Sequence, residues 1–128
     1  MIRLLQGDVG SGKTIVALMS MLICIDNDFQ TCLIAPTEIL ATQHFNSFNS
    51  ALSNLNVNIR LLTGSTKLSE RKIIFNDLKN GSLNILIGTH AVFEENVVFK
   101  NLGFAVIDEQ HRFGVKQRSK IWEKNNPP

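Results

Sequence analysis

The stretch Gly7-Asp8-Val9-Gly10-Ser11-Gly12-Lys13-Thr14 decides how this chain folds and what it binds. It matches G-x-x-x-x-G-K-[ST], the pattern of a phosphate-binding loop that connects a strand to a helix. Its glycines let the backbone turn so that successive N–H groups point at one anion. The positive N-terminal end of the following helix strengthens that attraction. We therefore predict that the whole stretch binds the phosphates of a nucleotide.

The residues on either side of this loop supply the context that the pattern requires. Residues 2–6 predict a short strand before the loop, and residues 14–25 predict a helix after it. Within the loop, we expect Lys13 to reach the β- and γ-phosphates and the Thr14 hydroxyl to bind Mg²⁺. A chance glycine-rich turn is the alternative, and the order strand, loop, helix argues against it.

Size and composition are those of one globular domain without a strong overall charge. The 128 residues are 44% hydrophobic and carry a formal net charge of +2, so any contact with nucleic acid has to be local. Cys24 and Cys32 stand in apolar stretches, which predicts small buried side chains and a reducing, cytoplasmic location. The apolar run 15–25 is too short to cross a bilayer, so we expect no membrane partner.

Apolar runs of strand length alternate with helical patterns along the rest of the chain. The predicted strands are residues 31–35, 57–62, 83–87 and 102–107. The predicted helices are residues 38–54, capped by Thr37, residues 69–80, ended by Gly81, and residues 114–124. This alternation predicts an α/β fold with a parallel sheet and helices on both faces. Ligands of such sheets lie at the carboxyl ends of the strands.

The spacing of apolar residues predicts which helix faces are buried. The helix 14–25 is apolar on nearly every face, so we expect it to be covered on most sides. In the two following helices, the residues expected to face inward are Leu40, His44, Phe48 and Leu52, and Ile73, Ile74 and Leu78.

A pair of carboxylates, Asp108 and Glu109, follows the last predicted strand, which is the Walker B pattern. We expect Asp108 to hold the Mg²⁺ shell on the side opposite Thr14, and Glu109 to orient the attacking water. A solvated acidic turn is the alternative for the pair alone, but the phosphate-binding loop favours the catalytic interpretation. A GTPase would be expected to show the guanine-reading pattern N-K-x-D, and the sequence contains none.

These motifs together resemble those of a known helicase family. Asp108-Glu109-Gln110-His111 resembles the DExH motif II of superfamily 2 helicases. Residues 3–14, 35–44, 61–65 and 88–91 resemble motif I, motif Ia and the next two motifs of the RecG-type bacterial ATP-dependent DNA helicases. The resemblance covers nearly all of residues 1–128. It implies the first RecA-like motor domain of an enzyme that moves on branched or forked DNA in repair and recombination.

The resemblance also implies roles for residues that spacing alone leaves open. Gln110 and His111 are expected to couple the nucleotide site to DNA-dependent movement. The residues expected to contact the DNA backbone are Pro36, Thr37, Thr63, Gly64, Ser65, Thr89 and His90. Small hydroxyls and backbone amides at strand ends suit phosphates and carry little base information. The alternative is structural: Thr37 caps a helix, Gly64 and Gly88 form turns, and His44 is a structural residue.

By the same resemblance, further parts of the family's architecture would lie outside these residues. The family has a motif III strand between the strands that carry the phosphate loop and Walker B, a second RecA-like domain with arginine fingers, and a wedge domain that grips DNA. We therefore expect a gap in the sheet, marginal stability, and very slow ATP hydrolysis by this chain alone. The alternatives are the motor of a transcription-repair coupling factor, a non-catalytic nucleotide-dependent DNA-binding module, and an inactive fragment.

Overall fold

The computed structural model of the chain describes residues 3–7 and 11–108. Within these residues the strands are β1 (Arg3–Gly7), β2 (Gln30–Ile34), β3 (Ile59–Leu62), β4 (Ile85–Gly88) and β5 (Leu102–Asp108). The helices are α1 (Ser11–Asp26), α2 (Glu38–Ala51) and α3 (Leu68–Asn80), with a 3₁₀ turn at His90–Phe93. Each predicted strand and helix within the described residues is therefore confirmed, with every bound within three residues of its prediction. The predicted helix 114–124 lies outside them.

The strands form one parallel sheet in the order β1-β5-β2-β4-β3. Alternate strand residues point to opposite faces, and both faces are covered. On one face, Ala17 and Met21 of α1 pack in one buried cluster with Phe48 of α2. On the other face, Ile74 and Leu78 of α3 pack with the 3₁₀ turn. The predicted parallel α/β fold with helices on both faces is confirmed.

The expected gap between β1 and β5 is absent from the described sheet. The two strands pair directly, from Arg3 opposite Phe104 to Gly7 opposite Asp108. The backbone N–H and C=O groups of β1 pair with those along the edge of β5 that the prediction left without partners. The prediction of an open ladder at this position is therefore wrong for this structure.

Local signals explain where two of the helices begin and end. Pro36 follows β2, and the hydroxyl of Thr37 accepts a hydrogen bond from the Leu40 N–H at 3.2 Å, which caps the start of α2 as predicted. Gly81 ends α3 with φ of 87°, a left-handed conformation that glycine adopts without steric cost. Both boundaries were therefore readable from single residues.

Two expectations about buried helix faces are wrong. Within residues 15–26 of α1, Ala17 and Met21 are fully buried, whereas four apolar side chains are about 60% exposed, namely Ile15, Val16, Met19 and Ile23. In α3, Ile73 is 50% exposed. Neighbouring residues on a helix point about 100° apart, so Ile74 faces the sheet and Ile73 faces away.

The remaining compositional expectations are tested in part. Cys32 is fully buried in the sheet core, as predicted, while Cys24 is half-buried. In the described part of the chain, no helix combines the length and the apolar character that crossing a membrane requires.

Candidate functional site

The carboxyl ends of the five strands bring the predicted site segments to one edge of the sheet. Gly7 is in register with Asp108 across β1 and β5. Further along the same edge, Gly88 is in register with Ile34 and with Leu62. The segments that follow β2, β4 and β3 therefore lie side by side, and they contain the residues predicted to contact DNA. We call this border of the sheet the polar edge.

The predicted nucleotide half occupies the β1–β5 end of the polar edge. Gly7 ends β1, and α1 begins at Ser11, so Gly12, Lys13 and Thr14 lie in its first turn. This is the strand–loop–helix order that a phosphate site needs. The remaining predicted residues of the nucleotide site lie outside the described residues: Asp8, Val9, Gly10, Glu109, Gln110 and His111.

Asp108 has the position and the chemistry to hold a magnesium ion. It is 2% exposed and ends β5 beside Gly7. Mg²⁺ in nucleotide sites takes one or two carboxylates and completes its shell with waters and substrate phosphates. A single buried carboxylate next to the phosphate loop fits that requirement. Among residues 3–7 and 11–108, no three histidine, cysteine or acidic side chains come together as a closed metal cage.

His44 of α2 lies against Asp108, a contact that the sequence did not predict. Its Nε2 is 3.9 Å from Asp108 Oδ2, is buried, and has no hydrogen-bond partner in the described structure. Burial lowers the pKa of His44, and the nearby Asp108 carboxylate offsets part of that effect. The imidazole also meets the Phe48 ring edge-on, with centroids 6.5 Å apart. His44 is therefore held between the core and the predicted metal ligand.

Glu38, another residue that the sequence did not single out, binds the loop after β3. Its Oε1 accepts a hydrogen bond from the Thr63 hydroxyl at 3.1 Å, and its Oε2 accepts one from the Ser65 hydroxyl at 2.9 Å. The Thr63 hydroxyl also accepts from the Ser65 N–H at 3.2 Å. Each hydroxyl has one proton, so both protons are engaged by Glu38. The first turn of α2 thus fixes residues 63–66, which we call the β3–α3 loop.

Arg71 of α3 holds the same loop from its other side. Its guanidinium donates to the carbonyl of Thr63 at 2.8 Å and to that of Thr66 at 2.9 Å. It also pairs with Glu94, just after the 3₁₀ turn, at 2.7 Å. The β3–α3 loop is therefore fixed by a carboxylate on its hydroxyls and by a guanidinium on its carbonyls.

The residues predicted to contact DNA differ in how much of each side chain is available. Thr63 and Thr89 are only 3% and 4% exposed. The Thr89 hydroxyl faces the Ala91 N–H at 3.5 Å, which shapes the 3₁₀ turn. Thr37, Gly64, Ser65 and His90 are exposed, and Pro36 is half-buried. The alternative that these residues are structural therefore fits Thr89, which is buried. It fits Thr37 in part, since an exposed residue that caps a helix can also contact a ligand.

Gly64 and Gly88 differ in whether the fold leaves room for a side chain at their positions. A Cβ on Gly88 would stand 2.3 Å from the Leu62 carbonyl oxygen, so this position admits no side chain. A Cβ on Gly64 would meet no atom within 4 Å, and Gly64 does not have a positive φ. The fold therefore requires glycine at position 88 and not at position 64.

We expect Glu38→Ala to lower the free energy of unfolding by about 2 kcal/mol, because it removes two hydrogen bonds to a charged acceptor. Urea denaturation followed by circular dichroism measures this. Glu70→Ala is the matched control, since Glu70 is also exposed and also lies in the first turn of a helix. The control removes the same interaction with the helix dipole, so equal losses in the two variants would contradict the role of Glu38.

Comparison with known proteins agrees with this geometry. A protein-family model described as DEAD/DEAH box helicase matches residues 3–126. The chain is 51% identical over 122 residues to the ATP-dependent DNA helicase RecG of Aquifex aeolicus, covering 95% of this chain and 15% of that protein. It is also similar to a structure of RecG bound to a three-way DNA junction, with 50% identity and a TM-score of 0.77, over 88% of this chain and 15% of that one.

A more distant likeness supports the fold alone. The structure of S. cerevisiae Dbp5 bound to RNA and ADP BeF3 matches 96% of this chain and 38% of that one, with 11% identity and a TM-score of 0.56. The chain thus spans a small part of the length of the relatives that it matches.

Proposed function

We propose, since the chain belongs to the DEAD/DEAH box helicase family, that it is the ATP-binding motor domain of a RecG-like DNA helicase. One observation carries the proposal. The sheet aligns Gly7, where the phosphate motif begins, with Asp108, where the acidic motif begins, at an edge that continues into the segments predicted to contact DNA. Nucleotide and DNA would then bind along one continuous border of one rigid sheet.

The chain's own residues would divide the nucleotide chemistry among them. The backbone of residues 7–14 would hold the phosphates, Lys13 would neutralise their charge, and Thr14 and Asp108 would bind Mg²⁺. Glu109 would hold the attacking water, and Gln110 and His111 would couple hydrolysis to movement. Bound Mg²⁺ would stabilise the charge that develops on the phosphates during transfer.

The DNA half of the proposal is supported by the chemistry of the exposed groups. Exposed groups such as the Thr37 hydroxyl and the Gly64 backbone suit the phosphate backbone and do not read bases. Because the fold leaves open space around Gly64, a close approach by a phosphate is a reason for glycine there. The related RecG structure is described as bound to a three-way DNA junction. We therefore propose branched DNA as the partner of the polar edge.

Two binding measurements test the proposal. Isothermal calorimetry with Mg-ATP tests the nucleotide site, and fluorescence anisotropy with a labelled three-way junction and a linear duplex of equal length tests the DNA site. We expect Mg-ATP to bind, and junction affinity to change when it does. Failure to bind Mg-ATP would contradict the nucleotide site, and binding of Mg-ATP without any DNA binding would contradict the polar edge as a DNA site.

Gly64→Ala is expected to weaken junction binding about fivefold. The added methyl group would occupy the open space beside Gly64 and prevent the DNA backbone from approaching the β3–α3 loop closely. Stability should stay within about 0.5 kcal/mol, since the methyl group meets no atom of the protein. Anisotropy titrations measure the affinity. Ser53→Ala, an exposed change after α2, is the control. Unchanged affinity in Gly64→Ala would remove the loop from the DNA site.

The activity of the whole protein is a further part of the proposal. The chain spans 15% of the length of the Aquifex aeolicus relative, which is named an ATP-dependent DNA helicase. We propose that a second RecA-like domain and a wedge domain work with this motor domain. Arginine fingers from the second domain would supply a factor of about 10³–10⁵ in the rate of hydrolysis.

A further inference from the structure

Helix α2 connects the two halves of the polar edge. Near its N-terminus, Glu38 binds the hydroxyls of the β3–α3 loop. His44, six residues further along, reaches Asp108. At a rise of about 1.5 Å per residue, the two positions are about 9 Å apart along the helix axis. A single rigid helix therefore contacts both a predicted DNA-contacting loop and the predicted metal ligand.

The His44 side chain has an unmet hydrogen-bonding requirement at the metal end. Its Nε2 is buried without a partner, which is costly for a polar atom. The Asp108 Oδ2 atom lies 3.9 Å away, and an approach of about 1 Å would give a short hydrogen bond between an N–H and a carboxylate. Hydrogen bonds of catalytic groups are often long before the ligand binds and tighten when it is present.

We propose that His44 is a positioning residue of the nucleotide site, whose Nε2–H donates to Asp108 Oδ2 and fixes the direction in which this carboxylate meets Mg²⁺. A bond to Oδ2 fixes the rotation of the carboxylate, and so the direction of its other oxygen. The proposal rests on the proposed function, because it assigns Asp108 to the metal of a bound nucleotide. It adds a residue of α2 to a site otherwise built from the ends of β1 and β5.

The surroundings of His44 suit this role, because its Nε2 is buried and lies near the Asp108 carboxylate. Edge-on contact with Phe48 orients the ring.

The test compares nucleotide binding with and without magnesium in three variants of the full chain. His44→Phe keeps a flat ring against Phe48 but removes the donor, and His44→Gln restores an N–H at a similar reach. Asn46→Phe places the same aromatic group on the exposed side of α2 as a control. ATP affinity is measured by calorimetry in EDTA and at increasing Mg²⁺, and folding by thermal denaturation.

We expect His44→Phe to raise the Mg²⁺ concentration for half-maximal ATP binding by about ten- to a hundredfold, as loss of such an outer-shell partner does elsewhere. Binding in EDTA should be unchanged, and His44→Gln should recover most of the magnesium dependence. Equal loss of binding with and without Mg²⁺ would assign His44 a purely structural role and overturn the proposal, as would a normal Mg²⁺ dependence in His44→Phe. If the unaltered chain bound no Mg-ATP, the nucleotide site itself would be contradicted, and the role of His44 with it.

Discussion

Replacing Lys13 with alanine is expected to weaken Mg-ATP binding by at least about a hundredfold, which is about 2.7 kcal/mol. Lys13 lies in the first turn of α1, at the polar edge where β1 and β5 end. In a phosphate-binding loop of this pattern, the lysine ammonium meets the β- and γ-phosphates directly. One or two hydrogen bonds between charged groups, worth about 1.5–3 kcal/mol each, account for a loss of this size.

Calorimetric titration with Mg-ATP measures this loss, and a second lysine of the chain provides the control. Lys79 lies in the last turn of α3, is exposed, and is at the end of its helix away from the polar edge. Lys79→Ala makes the same change in net charge, so it reports the effect of bulk electrostatics on a charged ligand. Equal affinities for ATP in the Lys13→Ala and Lys79→Ala variants would show that residues 7–14 do not form the nucleotide site.

The architecture could be predicted from the sequence because its signals are local. Continuous apolar runs define the strands, Thr37 and Gly81 mark helix boundaries, and alternation of strands with helices implies a parallel sheet. The rule that ligands lie at the carboxyl ends of parallel strands then gathers the motifs at one edge without any coordinate information. What the sequence does not contain is the lateral order of the strands, so the direct pairing of β1 with β5 was missed.

The residues that the sequence missed act through contacts between distant parts of the chain. Glu38 reads as an ordinary residue of the first helical turn, and its partners Thr63 and Ser65 are 25 and 27 residues away. In the sequence, His44 is one more residue on the inner face of α2, yet its side chain lies near Asp108 at the end of β5. The spacing of apolar residues predicts which face of a helix is buried. It carries no information on which polar atom of another element that face contacts.

Gly88→Ala is expected to be the most destabilising single substitution considered for this chain, with a loss of about 3 kcal/mol in the free energy of unfolding. The added Cβ would stand 2.3 Å from the Leu62 carbonyl oxygen and 2.8 Å from Val92 Cγ2. β4 cannot move aside, because it is hydrogen-bonded to β3 on one side and to β2 on the other. The Gly88 carbonyl accepts from the Ala35 N–H at 2.8 Å, and such bonds fix the strand spacing.

Gly64→Ala is the matched control for Gly88→Ala, since it adds the same methyl group where no atom lies within 4 Å. Urea denaturation of both variants is compared, provided that their m values are equal. Both substitutions remove the same backbone freedom from the unfolded chain, so a difference between their free energies of unfolding reports steric strain in the folded state. A loss of about 3 kcal/mol is a large fraction of the 5–15 kcal/mol that is typical of native domains. If the two variants unfolded at the same urea concentration, the close packing of β3 against β4 would be contradicted. The sheet spacing that aligns Thr63 and Thr89 at the polar edge depends on that packing.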